Sequence, residues 1–204
     1  EVWDVDNPMM AGIVQNQDSY MQSVASQRPF FFDHIKELTD QAFDEYAKFT
    51  GRRYERVMTY KAQDADYLIL GQGSVIPSAE VVADYLRETR GIKIGVVDLV
   101  MFRPFPGDLV SKILKGKKGV VILERLDQPL AADLPIAREV RATLSKCVEN
   151  GYTQNGIPYP ELSVYKPGDS PAVYSGSFGM GSRDLQPEGI IGAVENMLPN
   201  GKHK

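Results

Sequence analysis

Four apolar runs, each broken off by a glycine or a turn, constrain this chain more than any other feature. They are DYLILGQG (residues 66–73), IGVVDLVMF (94–102), GVVILE (119–124) and AVYSG (172–176). A run that is apolar at consecutive positions, rather than alternate ones, reads as a strand covered on both faces. The covers lie between and after the runs. Ala79, Val82, Ala83 and Leu86 share one helix face, with Pro77 in the first turn and Gly91 at the end. A short helix is expected over residues 108–115. Ile136, Val140, Leu144 and Cys147 mark another helix face, and Pro187 opens a last helix carrying Ile190, Ile191, Val194 and Met197. Strands alternating with helices predict an α/β fold built on a parallel sheet with helices on both sides.

Outside that rhythm the chain is less regular. Ile35, Leu38, Ala42, Tyr46 and Phe49 recur at spacings of three and four, which predicts a helix capped by Asp33 and ended by Gly51. A β-like run at residues 57–60 is joined to the next strand by a connection too short for a crossover. It is therefore expected to be antiparallel to its successor or not adjacent to it. Residues 150–170 read as a long loop with room for a short hairpin. Residues 1–30 read as an arm or linker from a preceding domain, and residues 31–204 as the α/β domain. The start EVWDVDNPMM is neither a leader peptide nor an initiator, so the chain reads as a piece of a longer protein.

Bulk properties narrow the function classes. A net charge of −4 does not favour nucleic acid or an anionic membrane surface. No apolar stretch approaches the roughly 18 residues needed to span a bilayer. Cys147 is the only cysteine, which excludes an internal disulfide and any cluster that needs several thiolates, and a reducing, cytoplasmic setting fits. The histidines are His34, read as a surface residue, and His203 in the tail.

Two glycine loops invite a ligand. Gly71 and Gly73, followed by Ser74, stand where a dinucleotide fingerprint would, but the third glycine position is Ile76, and no acid follows the next strand. The loop SGSFGMGSRD (175–184) holds Gly179, Gly181, Ser182 and Arg183. Its helix starts six residues beyond Gly181, so the helix dipole is not aimed at the glycines. Both loops read first as shaped turns and second as anion-binding loops. Arg103 ends a strand at the carboxyl edge of the sheet, where open α/β folds bind ligands. An ion pair or a domain contact is its plainer role. Cys147 reads as a small core residue, Asp40, Asp44 and Glu45 as a solvated helix face, and Tyr20 and Phe30 to Phe32 as anchors for the arm.

Several stretches together resemble one family. AGIVQNQDSYMQ (11–22), TGRRYERV, DADYLILGQGS, VVADYL, VDLVMFRPFP, VVILERLDQPLA and FGMGSRDLQPEGIIGAVENM follow in the order seen in pyruvate:ferredoxin (flavodoxin) oxidoreductases. The resemblance implies the second domain of a long enzyme, similar to the C-terminal domain of transketolase. That fold is three-layered (αβα), with five strands in the order 1-3-2-4-5 and the first antiparallel. For the parent it implies thiamine diphosphate, magnesium, iron–sulfur clusters, CoA, and ferredoxin or flavodoxin. No cofactor and no metal ligand is carried over to this chain, and its partners are the parent's other domains or subunits. Leu130-Ala131-Ala132-Asp133 stands where the family tends to be glycine-rich, and 2-oxoglutarate and other 2-oxoacid enzymes share this domain.

Three roles follow. The first is a non-catalytic structural and assembly domain of a 2-oxoacid oxidoreductase. The second is a regulatory module holding an anion or nucleotide at loops 71–74, 103–106 and 179–183. The third is a small autonomous enzyme.

Overall fold

A computed structural model describes residues 5–6, 14–154 and 156–201. The start of the 11–22 segment and His203 lie outside the described residues. The chain divides into two units, one ending at Ala42 and one beginning at Phe43.

The first unit is helical from Gln17. Helix α1 (Gln17–Gln27) runs through a π-helical turn (Arg28–Phe32) into α2 (Asp33–Thr50), and none of these elements holds a buried residue. Asp33 is therefore not the helix start expected of it. Its N–H bonds back to the carbonyl of Arg28, inside a continuous helical run. The single helix expected from Phe31 is the second half of a longer one, which Gly51 ends.

In the second unit β1 (Val57–Tyr60), β2 (Tyr67–Gly71), β3 (Ile94–Leu99), β4 (Gly119–Glu124) and β5 (Ala172–Ser177) form one sheet. Their order is β1-β3-β2-β4-β5. β1 pairs antiparallel with β3, Val57 opposite Leu99, and the other pairings are parallel. β1 is not adjacent to β2, one of the two arrangements that its short connection allows. Helices α3 (Val75–Arg90), α4 (Gly107–Leu114), α5 (Pro135–Tyr152) and α6 (Pro187–Met197) cover the sheet.

Alternation along the strands divides the core into two layers. Leu68, Leu70, Val97, Leu99, Val120 and Ile122 pack with α4 and α5. Ile69, Ile94, Val96, Val121 and Leu123 pack with α3 and α6. Because successive side chains point to opposite faces, only a continuously apolar strand can serve both layers. Truncating a fully buried residue such as Leu70 to alanine would cost about 2–5 kcal/mol.

Polar ties close the loops over this core. Lys117 Nζ donates to the carbonyls of Ala62 and Ala65, each at 2.7 Å, and burial pushes its pKa down. No hairpin is present in the long 153–171 connection among the described residues. Buried Tyr165 pins it instead, its hydroxyl donating to Ser111 O at 2.6 Å and its N–H to Cys147 O at 3.0 Å. Burial raises the Tyr165 hydroxyl well above its ordinary pKa.

Candidate functional site

Helix α3, which follows β2, lies on one face of the sheet, and α5, which follows β4, on the other. β2 and β4 are neighbours, so the loops leaving their carboxyl ends part in opposite directions. Such a switch point leaves a crevice, and it is where open α/β sheets hold ligands. A cavity of about 330 Å³ occupies that place. Ser74, Val75 and Ser78 come to it from the loop after β2 and the first turns of α3. Arg125 comes from the end of β4, and Phe178 and the 183–186 segment from beyond β5.

Local backbone chemistry shapes these walls. Gly71 is needed for close approach, since a Cβ there would fall 2.8 Å from Val75 Cγ1. The loop after β5 turns through Gly179 (φ 71°), Gly181 (φ 60°) and Ser182 (φ 63°), left-handed conformations that favour glycine. A Cβ on Gly179 would lie 2.8 Å from both Cγ and Nε of Arg125. The bare glycine thus lets the arginine lie against the loop. Helix α3 starts at Val75 without a side-chain cap. Neither Arg125 nor Arg183 has an ion-pair partner among the described residues. Asp184 is the one acid on the lining.

Of the residues singled out in sequence, Ser74 and Arg183 meet at this cavity. Gly71 and Gly179 shape its surroundings, Gly73 receives the first α3 hydrogen bond from Ile76 N–H, and Gly181 and Ser182 form the turn before Arg183. Arg103 is not on the lining. It pairs with Glu139 of α5 at 3.0 Å and stacks over the Phe102 ring at 3.9 Å. His34 is exposed and Cys147 fully buried, where burial raises the thiol pKa. Sequence reasoning missed Arg125, although its signal was the one that singled out Arg103: an arginine immediately after an interior strand.

Glu124 was missed as well. It is 3% exposed, and its carboxylate oxygens accept from Ile136 N at 2.9 Å and Ala137 N at 3.1 Å. It therefore caps α5 from the neighbouring strand. A larger cavity, about 860 Å³, opens at the amino ends of β2 and β3 beside Tyr67, Ile92 and Leu198. Both carboxylates on its lining are paired, Asp66 with Lys118 at 3.1 Å and Glu195 with Arg90, and Lys93 is the cation that lines it. The carboxyl-edge crevice is the smaller space but the one lined by two arginines, Arg125 and Arg183.

Among the described residues no group of three or more His, Cys, Asp or Glu is placed to hold a metal ion, and no helix is long and apolar enough to cross a membrane. Residues 65–157 match the family described as pyruvate:ferredoxin oxidoreductase core domain II. The chain is 28% identical over 190 residues to a probable pyruvate-flavodoxin oxidoreductase of Escherichia coli, covering 91% of this chain and 15% of that protein. It is 28% identical over 195 residues to the pyruvate synthase subunit PorA of Thermotoga maritima, covering 96% of this chain and 44% of the subunit. The chain thus spans less than half of either relative. A 2-oxoglutarate:ferredoxin oxidoreductase from Magnetococcus marinus aligns in structure over 82% of this chain and 24% of its own, at 16% identity and a TM-score of 0.45. Through residues 65–157, this chain is similar to core domain II of the pyruvate:ferredoxin (flavodoxin) oxidoreductases.

Proposed function

We propose that this chain is a non-catalytic structural and assembly domain of a thiamine-diphosphate-dependent 2-oxoacid:ferredoxin or flavodoxin oxidoreductase, with pyruvate as the 2-oxoacid. The observation that carries this reading is the match to core domain II in a chain that spans only a small part of relatives named for pyruvate. The residues present do not fit the parent's cofactors. Cys147 is sealed in the core, and no described cluster suits a magnesium diphosphate. In this reading thiamine diphosphate, magnesium and iron–sulfur clusters sit on other domains. CoA and ferredoxin or flavodoxin engage the parent enzyme, which works in the cytoplasm.

Residues 1–30 serve as an arm and residues 31–204 as the α/β domain. Tyr20, Phe30 and Phe31 are 60%, 72% and 67% exposed, which supports an arm whose apolar surface is completed by other parts of the parent. Two measurements test the assignment. Calorimetry of this chain with thiamine diphosphate and magnesium should show no binding at micromolar concentrations, and pyruvate with a redox dye should give no turnover. In the parent enzyme, Tyr20→Ser with Phe30→Ser should lower the yield of assembled protein. Dye reduction by this chain above a denatured control would overturn the non-catalytic reading, and undiminished assembly of the variant would overturn the role of the arm.

A further inference from the structure

We propose that Arg125 and Arg183 form a binding site for a small phosphate-bearing anion in the crevice at the end of β4, between the loops after β2 and β5. Four observations converge on it. The crevice is the switch point of the sheet, the place the topology leaves open. Its volume of about 330 Å³ suits a phosphate or diphosphate group rather than a large apolar ligand. Two arginines line it, Arg125 directly after β4 and Arg183 from the loop after β5, neither matched by a carboxylate partner among the described residues. One of them, Arg125, lies over a glycine at which a Cβ would collide with its side chain.

The donor inventory selects the ligand. Each guanidinium offers five N–H groups in a planar fork, and the Ser74 and Ser78 hydroxyls add two donors on the opposite wall. A tetrahedral dianion has enough oxygens to use both walls, whereas a carboxylate has two. Asp184 leaves one excess positive charge among the lining residues, and it supplies an acceptor for a singly protonated phosphate. The same phosphate chemistry is available from the free ion and from the end of a larger ligand. The site does not depend on the assembly reading, because all its walls belong to the unit that begins at Phe43.

The test titrates this chain with inorganic phosphate, pyrophosphate and adenosine monophosphate by calorimetry, at ionic strength held constant with chloride. Saturable binding in the millimolar range is expected. Arg125→Gln and Arg183→Gln should each weaken it at least about tenfold, the worth of one charge-assisted hydrogen bond. Arg125→Lys should recover part of the loss, because it restores charge without the fork. Arg103→Gln, off the lining and paired with Glu139, should bind as the parent sequence does. Tighter binding of the nucleotide than of phosphate assigns the anion to a larger ligand, and the reverse assigns it to the free ion. Circular dichroism on each variant separates loss of site from loss of fold, with the conservative Arg125→Lys as the folded comparison. Absence of saturable phosphate binding overturns the proposal, as does a folded Arg125→Gln or Arg183→Gln variant that binds unchanged or an equal loss in Arg103→Gln.

Discussion

Asp98 stands on β3 with its carboxyl half-buried and Glu80 of α3 close by, and burial first, then the charge of Glu80, raises its pKa above the ordinary value. The protonated form is the one the fold prefers. Stability from this group is therefore fully present below the unfolded carboxyl pKa, about 3.9, and is lost as pH rises through the higher folded value. Asp98→Asn removes that dependence. Its urea midpoint relative to the parent sequence should rise between acid and neutral pH, and a difference that stays flat with pH would refute the account. At the loop after β5, Gly179→Ala and Gly181→Ala should each cost about 1 kcal/mol, since both positions are left-handed. Only Gly179→Ala also displaces Arg125, so it alone should weaken phosphate binding by calorimetry. The need for glycine in this loop was legible from sequence. The reason at Gly179, a side chain from another strand, was not, because no local pattern records who crosses a turn.

At the scale of elements, the capping of α5 is the least local feature. Its start at Pro135 has no side-chain cap of its own, and buried Glu124 serves from β4. Glu124→Gln keeps the shape but loses the charge and one acceptor, and a cost of about 1–3 kcal/mol in urea unfolding is expected. A midpoint unchanged from the parent would mean that the cap contributes nothing. Helices α3, α5 and α6 were legible because their apolar residues recur at helical spacing and proline or glycine marks their ends. The π-helical join at Arg28–Phe32 was not. Three consecutive aromatics and a proline read as a break, while the backbone absorbs one extra residue and continues. Tyr165 was equally silent in sequence, a lone aromatic in a polar loop that becomes one of its buried anchors.

For the whole α/β unit, the continuously apolar strands declared a parallel sheet with two covered faces, and the short β1 connection excluded a parallel pairing with β2. Strand order came from family resemblance, because periodicity says which face a residue occupies and nothing about which strand lies beside it. Every residue of β4 is buried, whereas none of β5 is, and β5 sits at the edge of the sheet with β4 as its only strand partner among the described residues. That asymmetry is a gradient in opening time. Native-state hydrogen exchange should be slowest at Leu68 to Leu70 in the sheet centre and fastest among the strands at residues 172–177, which can detach without global unfolding. Uniform protection across all five strands would contradict it. The wall that delivers Arg183 thus hangs on the most transient strand, and an anion bridging it to Arg125 would act as a latch, slowing exchange along β5 while leaving the centre untouched.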